Sequence, residues 1–225
     1  MQIEVLYRPF GTIARVNLQA GEPLRVESGA MVGMSSNMHI ESGVKGGLLK
    51  GLGRMFGGES FFQNTYTPQQ GPGEILLAPP LPGDIFELEV PQGGLRMQST
   101  AYIAGDPNVT ISTKVGGFKS FFAGEGLFVM EAQASGPGQK IILGSYGGVQ
   151  ELVCDGSIVV DSGHLVAWDT SLNFKNTKAT DSGWIASFLS GEGIVVRFEG
   201  QGRVWMQSRN APEYGRTIGP QLPPA

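Results

Sequence analysis

The chain has 225 residues, 40% of them hydrophobic and only 16% charged, with 35 glycines, 14 prolines and a formal net charge of -4. That length can bury a sizeable core as one large domain or two small ones. The acidic balance and the lack of any Lys/Arg cluster argue against a general nucleic-acid binder, which presents a basic surface.

A single cysteine, Cys154, excludes an intramolecular disulfide and a multi-thiolate metal cage. It stands in the alternating run VQELVCDG and reads as a buried or half-buried strand residue. The first residues, MQIEVLYRPFG, carry neither an apolar core nor a basic leader, and no run approaches the ~20 apolar residues that span a bilayer. The expected location is the cytosol, at most peripheral to a membrane.

In chain order, Ile3–Leu6 is the first strand-like piece, and GTIARVNLQAG (Gly11–Gly21) the second. Then begins a pattern met three times. Leu24–Val32 (LRVESGAMV), Leu95–Ile103 (LRMQSTAYI) and Ile158–Val166 (IVVDSGHLV) align on Ser28, Ser99 and Ser162, preceded by Glu27, Gln98 and Asp161. A second piece follows at Met38–Ser42, Val109–Thr113 and Leu172–Asn176. Next comes an apolar loop closed by Gly-Glu: Gly46–Ser60, Gly116–Gly126 and Gly183–Gly193. Its acid falls at Glu59, Glu125 and Glu192, which are 66 and 67 positions apart. After the loop come Phe61–Tyr66, Leu127–Ala132 and Ile194–Glu199, then a G-x-G turn at Gly71–Gly73, Gly136–Gly138 and Gly200–Gly202. Glu74–Leu77, Lys140–Leu143 and Arg203–Met206 complete each unit. Gly83–Gly93 and Gly147–Gly156 link the units and match Gly11–Gly21, while Ile3–Leu6 matches the strand after each G-x-G turn.

These pieces are short, alternating and rich in Val, Ile, Phe and Thr, with Gly or Pro at their ends. The reading is a single all-β domain of three internal pseudo-repeats, at about 22–83, 93–147 and 156–208, with residues 1–21 completing a ring. Such a chain forms a closed, pseudo-threefold β-barrel or sandwich. Only Leu48–Phe56, Phe118–Phe122 and Trp184–Leu189 could make a turn or two of helix. From Arg209 the Pro-rich RNAPEYGRTIGPQLPPA lacks periodicity and reads as an extended C-terminal tail over 209–225.

Ser28-Gly29-Ala30-Met31, the segment GGLLKGLGRMFGGESFFQNTY (Gly46–Tyr66), the repeated Gly-Glu loops and Arg216-Thr217-Ile218-Gly219 together resemble one family. It is the altered inheritance of mitochondria family, found in bacteria, archaea and mitochondria, and the resemblance covers roughly Met1–Pro220. It implies an all-β fold similar to the tryptophan-RNA-attenuation protein, described as a double-stranded β-helix type. The family's bacterial members have no established activity. A mitochondrial member is associated with inner-membrane organisation, but this sequence shows no transit peptide. Fold similarity to an RNA-binding ring does not transfer RNA or tryptophan binding.

Catalytic and metal chemistry find little support. His39 and His164 occupy different repeat positions, His39 aligning with Thr110 and Asn173, His164 with Ala30 and Ala101. No ligand set forms around either. Asp161-Ser162-Gly163-His164 holds the side-chain types of a hydrolase triad, but strand alternation sends Asp161 and Ser162 to opposite faces. The glycine-rich first loop lacks G-x-x-x-x-G-K-[ST] and is no phosphate loop. Glu59, Glu125 and Glu192 read as turn residues capping backbone N–H groups, with a cation-holding ring of carboxylates as the alternative. No catalytic residue, cofactor or metal ligand is assigned.

The apolar loops carry the functional expectation. Leu48, Leu49, Leu52, Met55, Phe56, Phe118, Phe121, Phe122, Trp184, Ile185, Phe188 and Leu189, with Lys45, Lys50, Arg54 and Lys119 around them, form either the plug of the barrel or an exposed contact surface. Three functions follow: a non-enzymatic scaffold that assembles with itself or a protein partner, a peripheral membrane-organising protein, or a small-molecule-binding barrel. Self-association is expected first, since β-rich units must pair or shield their edges.

Overall fold

A computed structural model describes residues 1–42, 61–113, 128–177 and 195–223. These carry 17 strands, numbered β1 to β17 along the chain, in three sheets, one of them a half-barrel. The first sheet runs β1 (Gln2–Leu6), β2 (Ile13–Leu18), β7 (Gly73–Leu77), β4 (Met31–Met34). The second runs β5 (Met38–Ser42), β6 (Gln63–Pro68), β3 (Leu24–Glu27), β10 (Tyr102–Gly105), β13 (Lys140–Gly144), β8 (Ile85–Glu89). The third runs β11 (Val109–Ser112), β12 (Val129–Ala134), β9 (Leu95–Gln98), β15 (Leu165–Asp169), β17 (Val195–Gln207), β14 (Val149–Asp161). In addition, β16 (Asn173–Thr177) lies along the first half of β17. No pairing among the described residues joins the sheets into the single closed barrel expected from the sequence.

All the strand pairs among the described residues are antiparallel. The alternation in the sequence is the alternation of faces. Along β2, Ala14, Val16 and Leu18 are fully buried while Ile13, Arg15 and Asn17 are only half-buried. Burial of each Val or Leu contributes about 1.5–3 kcal/mol. Three apolar clusters result: one around Leu24, Ile75 and Ile103, one around Met97, Tyr102 and Trp205, and one around Trp168 and Phe198. Cys154 lies in the third, buried as expected, its thiol 4.0 Å from the Phe198 carbonyl.

The three aligned serines sit at the corners where one strand gives way to the next. The Ser28 and Ser99 amides donate to the carbonyls of Phe62 and Phe128. Each following strand then carries a β-bulge: between Met31 and Gly33, Tyr102 and Ala104, Leu165 and Ala167. In every case the irregularity falls three to five residues past the serine. A bulge inserts an unpaired residue and sharpens the local twist, which bends the strand around the core.

Two expectations fail. No turn forms at Gly200–Gly202: β17 runs unbroken from Val195 to Gln207, paired over its whole length with the equally long β14. Gly156 and Gly200 face each other there, with φ of 116° and 117°, so the paired kink keeps the ladder intact. The C-terminal segment is not extended either. Ala211–Ile218 forms a helix, α1, and residues 219–221 add a 3-10 turn. Asn210 caps it by accepting from the Glu213 amide at 3.2 Å, and Pro212 in the first turn lacks only an N–H that has no partner there.

Candidate functional site: a cleft beneath the C-terminal helix

The cleft is built where three chain segments far apart in sequence are fastened together. Gly83 and Gly147 form an isolated bridge, and a Cβ on Gly83 would lie 1.8 Å from the Ser145 carbonyl oxygen, so only glycine allows this approach. The Ser145 hydroxyl donates to the Gly147 carbonyl at 2.9 Å. Asp84, next to the bridge, is buried and clamped by the Arg8 guanidinium through Nε and Nη2, both at 2.9 Å. That carboxylate in turn holds the Arg8 pKa above its ordinary value, mainly through this hydrogen bond.

Gln207 is the central fastener. Its Oε1 accepts from the Tyr146 amide at 2.9 Å, and its Nε2 donates to the Gly163 carbonyl at 3.1 Å. Gln98, buried beside it, donates from Nε2 to the Ser162 carbonyl at 3.0 Å. Helix α1 lies over this frame, with Tyr214 edge-on to Tyr146 at 5.8 Å between centroids. A cleft of about 450 Å³ remains. Pro79, Pro80 and Leu81 form one wall and Ala211 and Pro212 another; Gln98, Ser145 and Gln207 line it between them, and so does the exposed Arg216.

The lining mixes apolar walls with neutral polar side chains, and Arg216 is the one charged residue among these. The Nε2 groups of both glutamines and the Ser145 hydroxyl are already committed to backbone carbonyls, so these side chains hold the frame. The cleft offers shape, apolar walls and one cation, which suits it to binding.

Two groups elsewhere have their pKa raised by loss of solvent. Glu27 at the end of β3 has its carboxyl pushed up to about 7 by burial. Tyr102 is fully buried; loss of solvent holds its phenol well above the ordinary range, and its oxygen accepts from Gln63 Nε2 at 2.8 Å.

Of the residues expected from the sequence, Leu48, Leu49, Leu52, Arg54, Met55, Phe56, Phe118, Phe121, Phe122, Trp184, Phe188 and Leu189 all lie outside the described residues. The same holds for Glu59, Glu125 and Glu192. His39 is exposed on β5 with Nε2 3.8 Å from Glu41, whereas His164 Nδ1 is 2.8 Å from the Gln207 carbonyl. No group of three or more His, Cys, Asp or Glu converges as a metal site among the described residues. Ser162–His164 is a 3-10 turn rather than strand; the Asp161 carboxylate caps it by accepting from the Gly163 amide at 2.9 Å. The Asp161 hydrogen bond thus goes to backbone and the His164 ring contacts a carbonyl, so no triad forms. Gln207, Tyr146 and Asn210 escaped the sequence reading. Gln98 had a signal in its place before the aligned serine, and Arg216 only as part of the Arg-Thr-Ile-Gly motif.

The family model described as Mitochondrial biogenesis AIM24 matches residues 3–209. An uncharacterized protein of Streptococcus pyogenes (serotype M6) is 29% identical over 224 residues, covering 94% of this chain and 87% of the relative. An X-ray crystal structure of a Streptococcus pyogenes protein is similar over 98% of this chain and 99% of its own, with 27% identity and a TM-score of 0.78. No helix among the described residues is long and apolar enough to cross a membrane.

Proposed function

The chain belongs to the Mitochondrial biogenesis AIM24 family, and from that premise we propose that it is a non-enzymatic β-scaffold that works by assembling with further copies of itself. The observation that carries this reading is the outer edge of β14. Its 13 residues pair with β17 on one side and with no described strand on the other. Val153 and Val159 on it are 71% and 49% exposed. A long edge strand with exposed valines, free of proline or lysine and paired on its outer side with no described strand, is a template for another strand. In this reading the three aligned segments are equivalent units, and their recurrent bulges and serine corners support that. Sedimentation velocity over a hundredfold dilution tests it. A concentration-dependent species larger than the 23.9 kDa chain is expected; a monomer at every concentration overturns it.

A second reading, a small-molecule binder, is favoured by the cleft beneath α1, whose apolar walls and Arg216 suit a compact apolar acid. Native mass spectrometry of freshly purified protein tests it. An adduct that Arg216→Ala removes supports it, and bare protein throughout sinks it.

A further inference from the structure

We infer that the open edge of β14 pairs with the open edge of β4 in a second copy of this chain, in a register that the chain itself specifies. This rests on the scaffold reading above and names its interface.

The register comes from two pairings made within the chain. Between β3 and β10, Val26 stands opposite Ala104 and Arg25 opposite Gly105. Between β9 and β15, Met97 stands opposite Ala167 and Arg96 opposite Trp168. Counted from the aligned serines, both follow one rule. The residue two before Ser28 meets the residue five after Ser99, and the residue two before Ser99 meets the residue five after Ser162. The neighbours three before and six after likewise face each other.

Applied a third time, the rule starts from Ser162 and ends at Ser28. It sets Val160 opposite Gly33 and Val159 opposite Met34. That pairing is not made within the chain: β14 is bonded to β17 and β4 to β7, and each is an outer strand of its sheet. Both strands are nonetheless shaped for it. Gly33 is small, as Ala104 and Ala167 are at the equivalent bulged positions. Met34, Val32 and Val159 are 39%, 57% and 49% exposed, more than buried partners would allow.

A second copy is the occupant that fits, because it carries the complementary edge: β14 of one chain meets β4 of the next and leaves each chain's other edge open. The contact is heterologous, β14 of one copy to β4 of the next, so each added copy presents the same free edge again. Such contacts close into a ring where the rotation permits and otherwise extend.

The test mixes two proteins, one carrying Met34→Cys and the other Val159→Cys, both on a Cys154→Ser background. Directly opposed residues of an antiparallel pair have Cα atoms about 4.5–5.5 Å apart, within disulfide reach. Under mild oxidation the mixture is expected to give a mixed disulfide dimer on a non-reducing gel, and neither protein alone to give one. A second mixture, Ser35→Cys with Ile158→Cys, reads the next position of the same register and guards against one substitution weakening the edge. Oligomers in sedimentation without a mixed disulfide in either mixture overturn the register and leave the scaffold reading standing. A disulfide from Val159→Cys alone means symmetric β14–β14 pairing and overturns it too. Monomers of the unsubstituted chain overturn both.

Discussion

Gly156 and Gly200 stand directly opposite one another across the β14–β17 ladder, and both adopt the same positive φ. Two kinks in register let the two longest strands bend together without losing a pair. A Cβ on Gly156 would meet nothing within 4 Å, and one on Gly200 only ordinary van der Waals neighbours, so the requirement is conformational rather than steric. Gly156→Ala and Gly200→Ala are each expected to cost about 1–3 kcal/mol. Urea unfolding checks this, and unchanged midpoints would show that the kink is not needed.

Glu27 gives stability a pH dependence of definite sign. Burial lifts its carboxyl from 4.5 to about 7, so the folded chain keeps a proton that the unfolded chain has already lost. Between those values stability falls as pH rises; below 4.5 the penalty is absent, and above 7 it is complete. Glu27→Gln is expected to flatten that slope and to stabilise the fold at pH 8 by roughly 1–3 kcal/mol, at ~1.4 kcal/mol per pKa unit. Thermal melts at pH 4, 6 and 8 decide it: parallel profiles for the two proteins would contradict the assignment.

Gln207 holds the cleft's frame by one accepted and one donated hydrogen bond. Gln207→Leu leaves the Tyr146 amide and the Gly163 carbonyl without these partners and is expected to cost about 1–3 kcal/mol. Gln207→Glu keeps the acceptor but turns a charged carboxylate oxygen toward the Gly163 carbonyl in a buried setting, so a loss at least as large is expected at neutral pH. Chemical denaturation ranks the three proteins, and equal stability would remove Gln207 from its role.

The Arg8–Asp84 clamp ties the N-terminal segment to the bridge at Gly83. Arg8→Ala strands a buried carboxylate and is expected to cost on the order of 1–3 kcal/mol, because the guanidinium is itself half exposed. Arg8→Lys recovers part of that but cannot reproduce the two-pronged contact. Melting temperatures in that order support the clamp; indistinguishable values contradict it.

Much of the sheet was legible in the sequence, because a half-buried strand writes its pairing face into every second residue. The buried Ala14, Val16 and Leu18 of β2 are an example, and the serine corners were visible through the spacing of Ser28, Ser99 and Ser162. The uninterrupted β17 was not legible: Gly-Gln-Gly reads as a turn, and only the facing Gly156 turns it into a paired kink. Helix α1 was hidden for a different reason. It is only eight residues long, so its apolar positions Ala211, Tyr214 and Ile218 span two turns and are interrupted by Pro212 and Gly215, too short a run to stand out. The cleft was out of reach altogether, since Gln207 reaches Tyr146 and Gly163 across 61 and 44 residues of chain. The apolar loops that drew most attention in the sequence lie outside the described residues.

Hydrogen–deuterium exchange of the unsubstituted protein, followed from high concentration through dilution, tests assembly through these edges most directly. The Ser35 amide is already bonded to the Glu74 carbonyl at 2.9 Å within the chain, which leaves the Met34 amide facing out. Pairing of β14 with β4 between copies predicts that the outward amides of Ile158–Val160 and the Met34 amide are protected together at high concentration. It also predicts that both lose protection together on dilution, while buried strands such as β2 do not change. Exchange at both edges that is fast and the same at every concentration would contradict it.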